Sequence, residues 1–290
     1  MKRFRLLQLS DPHLSGTHPL FHHNWEVTLQ AVAGLAPDAV VVTGDVSYNG
    51  PDHVQDLDFA RAQIARIKAP IVKVLPGNHD VGVSPVDPNA EQPMTPQRRQ
   101  VWLDRFGPDF WHLDMGAWRF VGLNPFLADS GHPAEAAQTE ALKDALDTAK
   151  GPVGIFTHLP LFLADPTERI SNGFNMPPGP RKRWLDTLEG RARFIASGHL
   201  HKGHSFQHGE TDYHWCPATS FMQSNGDPFA AEATPWVGFL VHDFNGHDHQ
   251  VTRAAPQDMI NMDIRTWADG PEHSYMRIAR RRFLMPRTRR

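Results

Sequence analysis

The sequence predicts an α/β fold, and three observations support this. Apolar runs typical of buried strands alternate with helical patterns through the first half of the chain. Each apolar run ends in aspartate, asparagine or histidine, followed by a loop. The 290 residues are 40% hydrophobic, which is sufficient for one large core. The strand–helix–strand order indicates parallel pairing, and sheets of this kind place function just beyond the carboxyl ends of their strands.

The first half of the chain supplies three of the expected strands. We expect strands at Phe4–Leu9, Ala39–Val42 and Ile71–Leu75, joined by helices from Asn24 to about Ala36 and from Val54 to Ile67. An asparagine is a favoured helix N-cap, so Asn24 is predicted to cap the first helix.

The second half predicts further helices and strands. Helical patterns cover Thr95–Phe106, Ala134–Lys150 and Arg181–Leu188. Strands are expected at Trp111–Met115 and Trp118–Leu123, which form a hairpin, and at Val153–Thr157 and Arg193–Ala196. β-like segments follow residue 204, and Asn245-Gly246 is typical of a hairpin turn.

Composition excludes several classes of protein. The net charge of −3 and the pI near 6.6 do not favour binding to nucleic acid or to an anionic membrane. The single Cys216 excludes an internal disulfide framework. The N-terminal apolar run is too short for a signal peptide, and no window is apolar enough to cross a membrane. These features predict a cytoplasmic location.

Five consecutive predicted strands end in metal-ligand residue types. These residues are Asp11 and His13, Asp45, Asn78 and His79, His158, and His199 and His201. Within each pair spaced by two, extended backbone would point both side chains to the same side. Parallel strands would bring all five ends to one edge.

The residue types at these ends indicate the chemistry. A mixed shell of aspartate, asparagine and histidine suits Mn, Fe, Zn or Co rather than Ca or a thiolate site. Eight such residues exceed what one ion needs, which predicts two divalent or trivalent transition metal ions per chain. Two ions 3.5–4 Å apart are a known arrangement for in-line displacement at phosphorus.

The motifs resemble those of the calcineurin-like metallophosphoesterases. The resemblance rests on five motifs, in matching order and spacing along residues 9–201: Asp11-x-His13, Gly44-Asp45, Gly77-Asn-His-Asp80, His158 and Gly198-His-x-His201. It implies a four-layer α/β/β/α sandwich of two mixed sheets, with a dinuclear metal site at the carboxyl ends of the strands. The sequence looks most similar to the bacterial branch of cyclic-nucleotide phosphodiesterases and glycerophosphodiesterases.

The resemblance also implies a role for each residue. Asp11, His13 and His201 would hold the first metal ion. Asn78, His158 and His199 would hold the second, and Asp45 would bridge the two. His79 would face the substrate without binding a metal, Asn78 would lie beside it, and Asp80 would orient a neighbouring histidine. Attack by a metal-bridging hydroxide would then cleave a phosphate ester.

The substrate is left open between two classes. A small organic phosphodiester is the first expectation, and a phosphomonoester of a nucleotide or phosphoprotein is the alternative. Thr157-His158-Leu159-Pro160 departs from the His-His-Pro-Pro found in many cyclic-nucleotide enzymes. The loops at 81–96, 125–133 and 161–180 would decide between the classes. A nuclease is a weaker alternative, because the sequence has no evident basic groove. A scaffold that has lost catalysis is also weaker, because all the expected metal-ligand residues are present.

No composition shift marks an internal domain boundary. We expect one domain over residues 1–275 and an arginine-rich tail over 276–290, which holds seven arginines. A solvated tail is the ordinary interpretation, and an oligomer contact is the alternative, so a homo-oligomer is possible. The other histidines, including those after residue 204, are interpreted as surface or core residues.

Overall fold

The computed structural model describes residues 3–84, 92–169, 173–223 and 235–264. In chain order the elements are β1 (Arg3–Leu9), α1 (His22–Leu35), β2 (Ala39–Val42), α2 (Val54–Ile64), β3 (Ile71–Val74), α3 (Asn78–Val81), α4 (Pro96–Phe106), β4 (Trp111–Met115), β5 (Trp118–Leu123), α5 (Pro133–Asp147), β6 (Val153–Thr157), α6 (Pro178–Leu188), β7 (Ala192–Ser197), β8 (His204–His208), β9 (Thr211–Trp215), β10 (Phe239–Asn245) and β11 (Asp248–Ala254). The predicted strand–helix alternation is present from β1 to β3 and again from β5 to β7, and four strands follow.

The strands form two mixed sheets, as predicted. The first sheet has the order β11-β10-β1-β2-β3, and the second has the order β4-β5-β6-β7-β9-β8. In the first sheet β1, β2 and β3 are parallel, while β10 and β11 are antiparallel additions. In the second, β5, β6, β7 and β9 are parallel between two antiparallel edge strands. The last four strands are therefore divided between the sheets.

Three apolar layers hold the sandwich together. The first packs α1, α2 and α4 against the outer face of the first sheet. The second packs α5 and α6 against the second sheet. The third lies between the sheets and is rich in phenylalanine, including Phe120, Phe156 and Phe194. Two sheets enclosed by helices on both outer faces confirm the four-layer fold.

Asn24 corrects one local prediction. It lies inside α1 rather than at its N-cap, which is Phe21. Its amide nitrogen donates to the carbonyl oxygens of Ser220 and Ile260, and its amide oxygen accepts from the Ile260 amide. The side chain is buried, and all its polar atoms are paired with backbone far away in the sequence. Local sequence does not reveal such partners.

Residues 265–290 lie outside the described part, so the predicted domain limit at 275 and the arginine-rich tail stay predictions. Within the described residues, no helix is both long and apolar enough to cross a bilayer.

Candidate metal centre

The polar residues predicted at five strand ends lie together at one edge of the sandwich. Three groups of side chains have ligand atoms within 4.8 Å of one another. They are Asp11 with His13 and His201, His13 with Asp45 and His79, and Asp45 with His158 and His199. The Asn78 amide oxygen lies 3.2 Å from His158 Nε2. We call Asp11, His13, Asp45, Asn78, His158, His199 and His201 the candidate metal centre.

The backbone at five of these seven residues is left-handed, which corrects the expectation of extended pairs. Asp11 has φ 53° and His13 has φ 46°. Asp45, His199 and His201 have φ values of 50°, 69° and 54°. Aspartate and histidine tolerate this region better than most residues, but it still strains the chain. The paired side chains converge because of these bends and not because of strand periodicity.

Two glycines allow the ligand loops to touch. A Cβ on Gly77 would lie 2.1 Å from Asp45 Oδ1, and one on Gly198 would lie 2.7 Å from Asp11 Oδ2. The space is used by hydrogen bonds, because the His79 amide donates to Asp45 Oδ1 at 2.7 Å and the His199 amide donates to Asp11 Oδ2 at 3.0 Å. Each aspartate thus fixes a facing loop with one oxygen.

The second oxygen of each aspartate faces the histidines. Asp45 Oδ2 lies 3.7 Å from His13 Nε2 and 3.5 Å from His158 Nε2. Asp11 Oδ1 lies 3.4 Å from His201 Nε2. This Asp11 oxygen is buried and has no hydrogen-bond partner among the described residues. An unsatisfied buried carboxylate oxygen is costly, and a cation would compensate it.

Backbone carbonyls set the tautomers of three histidines. His158 Nδ1 lies 2.7 Å from the Thr43 carbonyl, His201 Nδ1 lies 2.9 Å from that of Phe221, and His199 Nε2 lies 2.8 Å from that of Gly173. A carbonyl only accepts, so each of these ring nitrogens carries the hydrogen. The opposite nitrogen of each ring is then a lone pair directed into the centre, as metal-ligating histidines require.

The ring nitrogens that face the centre approach each other closely. His158 Nε2 is 3.1 Å from His199 Nδ1, and His13 Nε2 is 3.2 Å from His201 Nε2. Burial lowers the pKa of His158 and lowers that of His199 to about 3, so both are neutral at pH 7. Burial also holds the pKa of His13 well below its usual range. Neutral rings facing one another at these distances suit a cation placed between them.

The two aspartates differ in their electrostatics. Burial and the nearby Asp11 carboxylate raise the pKa of Asp45 well above its usual range. Burial would raise the pKa of Asp11 as well, but the nearby histidines, His201 above all, have the larger effect. The pKa of Asp11 therefore lies below its usual range. Two buried carboxylates in one site repel each other, and metal ions would remove that repulsion.

His79 is partly exposed, and its ring lies 4.8 Å from that of His13. Its Nδ1 lies 3.0 Å from the Tyr48 carbonyl oxygen and therefore carries the hydrogen. The sequence interpretation placed His79 outside the metal ligands. The structure also brings it within ligand distance of His13 and Asp45, so both roles are geometrically open.

The structure corrects the role predicted for Asp80. It was expected to orient a neighbouring histidine, but it accepts instead from the amides of Val46, Ser47 and Gly77 and from the Ser47 hydroxyl. Asp80 thereby joins the loop after β2 to the loop after β3. Burial raises its pKa to about 6 against the effect of these hydrogen bonds.

Sequence reasoning missed the groups that hold the ligands. The carbonyls of Thr43, Gly173 and Phe221 carry no residue-type signal, since any residue has a carbonyl.

Of the loops predicted to decide the substrate, residues 85–91 and 170–172 lie outside the described part.

Comparison with known proteins identifies the family. The sequence profile of the calcineurin-like phosphoesterase family matches residues 4–203. The chain belongs to this family. A serine/threonine-protein phosphatase, CPPED1 of Danio rerio, is 28% identical over an alignment of 197 residues, and the match covers 61% of this chain and 60% of that relative. The matched part therefore spans less than two thirds of that phosphatase.

Solved structures share the fold. Purple acid phosphatase PPD1 from yellow lupin (Lupinus luteus) superposes with a TM-score of 0.65 at 15% identity, covering 90% of this chain and 53% of that one. A dimetal phosphatase from Danio rerio gives a TM-score of 0.55 at 15% identity, covering 87% of this chain and 96% of that one. Identities this low support the fold and nothing finer.

Proposed function

We propose that this chain hydrolyses a phosphoric ester with two transition metal ions held at the candidate metal centre. The observation that carries this proposal is the overlap of the ligand groups. Asp45 belongs to the group with His13 and His79 and to the group with His158 and His199, and His13 links the first of these to Asp11 and His201. A carboxylate shared between two sets of ligands is what a pair of adjacent metal ions requires.

The donor set fits the metals that we propose, Mn, Fe or Zn. Asp11, His13 and His201 would hold one ion, and Asn78, His158 and His199 would hold the other, with Asp45 between them. Oxygen and imidazole nitrogen donors suit these ions. When bound, the ions would neutralise charge on the phosphoryl oxygens and lower the pKa of water.

The chain's own residues supply positioning and proton transfer. The Tyr48 carbonyl holds the hydrogen of His79 on Nδ1, so Nε2 is the atom that can carry a proton to the leaving oxygen. Asn78 is partly exposed beside it, and its amide group can contact a phosphoryl oxygen. Asp80 acts on neither substrate nor histidine in this proposal; it keeps the Asp45 and Asn78 loops together.

Two substrate classes are considered, and the monoester has the more specific support. The Danio rerio relative is a serine/threonine-protein phosphatase, and phosphatases of this kind act on phosphomonoesters. The motif resemblance to bacterial phosphodiesterases supports the diester expected from sequence. We therefore place the phosphomonoester first and retain the small phosphodiester as the second candidate.

Turnover of two chromogenic esters tests the proposal. Metal-free protein would be loaded with Mn²⁺ and assayed with p-nitrophenyl phosphate and bis(p-nitrophenyl) phosphate. We expect metal-dependent turnover of the monoester with the higher kcat/KM. A clear preference for the diester would restore the sequence expectation. Less than about one bound ion per chain, with neither ester cleaved, would favour a scaffold and refute the proposal.

We further propose that the binding partner is the substrate itself, a phosphate ester of a small molecule or of a phosphoprotein. The homo-oligomer stays a prediction. Light scattering of the purified protein would measure the oligomeric state directly.

A further inference from the structure

A chain of hydrogen-bonded polar groups runs across the strands of the first sheet, within the layer between the two sheets, and reaches the second sheet at Ser197. We call it the inter-sheet polar chain; its members are His249, His242, Gln8, Thr43 and the carbonyl of Ser197. His249 Nε2 is 2.9 Å from His242 Nδ1, and His242 Nε2 is 3.3 Å from Gln8 Oε1. Gln8 Nε2 then donates to Thr43 Oγ1 and to the Ser197 carbonyl, both at 3.2 Å.

The surroundings of this polar chain are apolar. Gln8, Thr43 and His242 have no exposed surface. The His242 ring lies 5.5 Å from that of Phe194 and 5.9 Å from that of Phe156. A buried polar group left unpaired is destabilising, whereas aliphatic side chains would fill the layer at no such cost. The hydrogen bonds of the polar chain therefore fix the relative orientation of its side chains, which apolar packing alone would not do.

The hydrogen positions along the polar chain follow from its ends. Gln8 Oε1 only accepts, so His242 Nε2 carries the hydrogen. His242 Nδ1 is then the acceptor, and His249 Nε2 donates to it. The two hydrogens of Gln8 Nε2 are directed to Thr43 and Ser197. One arrangement satisfies every contact, so the Gln8 amide has a single orientation.

The polar chain ends at the backbone that carries the metal ligands. Gln8 precedes Asp11 by three residues, Thr43 precedes Asp45 by two, and Ser197 precedes His199 by two. The Thr43 carbonyl also accepts from His158 Nδ1 at 2.7 Å. The Gln8 amide thus ties together the ends of β1, β2 and β7, which belong to different sheets.

We propose that Gln8 and His242 are positioning residues of the candidate metal centre: His242 orients the Gln8 amide, which sets the spacing of three ligand-bearing strand ends across the two sheets. This inference rests on the proposed function. Groups that orient metal ligands without touching the metal typically change metal affinity by about 10–100-fold when removed. The same range is expected here, although neither side chain reaches the centre itself.

His214 provides a matched control for the test. It is a histidine in the same layer, on β9, and is 7% exposed. Its Nδ1 lies 2.9 Å from the Ser205 hydroxyl, away from Gln8. Replacing His214 by phenylalanine removes a buried imidazole as His242→Phe does, but leaves the inter-sheet polar chain intact.

The experiment measures Mn²⁺ affinity of metal-free protein by calorimetry, with thermal unfolding as a second readout. Gln8→Leu and His242→Phe should weaken at least one binding step about 10-fold, while His214→Phe should stay within about twofold of wild type. His242→Gln retains a donor towards Gln8 and should recover much of the affinity. Unfolding of the metal-free variants reports their stability separately from binding.

Several outcomes would overturn the inference. Gln8→Leu and His242→Phe with wild-type affinity would do so, as would an equal loss in His214→Phe, since that would mean a general effect on the layer. If either variant fails to fold, Thr43→Val removes the hydroxyl that accepts from Gln8 and that also bonds to Ser10 and Leu9, and unchanged affinity there would refute the positioning role. Wild-type protein that binds no Mn²⁺ would instead refute the proposed function, and this inference with it.

Discussion

Within the described residues, two clusters of histidines can be compared, and most of their members are buried. One belongs to the candidate metal centre and contains His13, His158, His199 and His201. The other lies between the sheets and consists of His214, His242 and His249, which we call the inter-sheet histidines. Burial lowers histidine pKa values in both clusters, for example to about 3 at His199 and about 4 at His214. Burial and neutrality therefore do not distinguish a metal site from a structural one.

The difference lies in the anions and in where the lone pairs point. Every group of described residues that could hold a metal ion includes Asp11 or Asp45. No aspartate takes part in the hydrogen bonds of the inter-sheet histidines, within the residues that the structure describes. Their ring nitrogens bond to one another, to Gln8 and to Ser205. Backbone carbonyls direct the lone pairs of His158, His199 and His201 inward in the first cluster, whereas His242 and His249 of the second bond to each other.

The largest effect is expected from Asp45→Asn, which removes the shared anion while retaining its shape. Turnover should fall on the order of 10³-fold, because several kcal/mol of charge stabilisation is lost with the metals. Mn²⁺ should also cease to raise the melting temperature, since binding to the native state is what stabilises it. Thermal unfolding with and without Mn²⁺ measures this.

Asp243→Asn is the control for that change. Asp243 pairs with Arg5 at the surface, so its replacement should alter stability by at most about 1 kcal/mol and leave the Mn²⁺ effect intact. An Asp45→Asn protein that still binds two ions as tightly as wild type would contradict the comparison.

His79→Ala separates catalysis from metal binding. We expect turnover to fall by about 10²-fold, the lower end of what loss of a general acid causes, with the metal content unchanged. Elemental analysis of the purified variant measures the content. Loss of one metal ion would instead make His79 a ligand beside His13 and Asp45.

The smallest effect concerns acid stability. Unfolded histidines titrate near pH 6.5, while burial lowers the pKa of His214 to about 4 and that of His249 to about 3. Below pH 6.5 the unfolded chain therefore takes up protons that the native state excludes. Above pH 6.5 the contribution of these histidines to the free energy of unfolding should be complete. As the pH falls from 6.5 towards the folded pKa values, the free energy of unfolding should decrease, by up to about 3 kcal/mol for His214.

Urea unfolding of metal-free protein between pH 7.5 and 4.5 measures this loss. His214→Phe should give a shallower decline than wild type, because one of the excluded protons no longer contributes. The same slope in both proteins would show that His214 is protonated as easily in the native state as in the unfolded one.

The fold and the gathering of the site residues were predictable because both depend on local patterns. Apolar runs and helical periodicity predict elements, and parallel strands bring their carboxyl ends to one edge. The left-handed backbone of Asp11 and His13 was not predictable, since contacts between distant loops impose it. His242 was interpreted as surface or core for the same reason: its partner Gln8 lies 234 residues away in sequence.

The left-handed backbone at five proposed ligands has a consequence for engineering this chain. Such a conformation costs a non-glycine residue on the order of 1 kcal/mol, and glycine relieves it. A screen that selects only for thermal stability would therefore enrich glycine at ligand positions, and each gain would delete a donor atom. Stabilised variants of this protein should be chosen under a simultaneous requirement for metal binding, since the most stable sequence for this fold is not one that retains its chemistry.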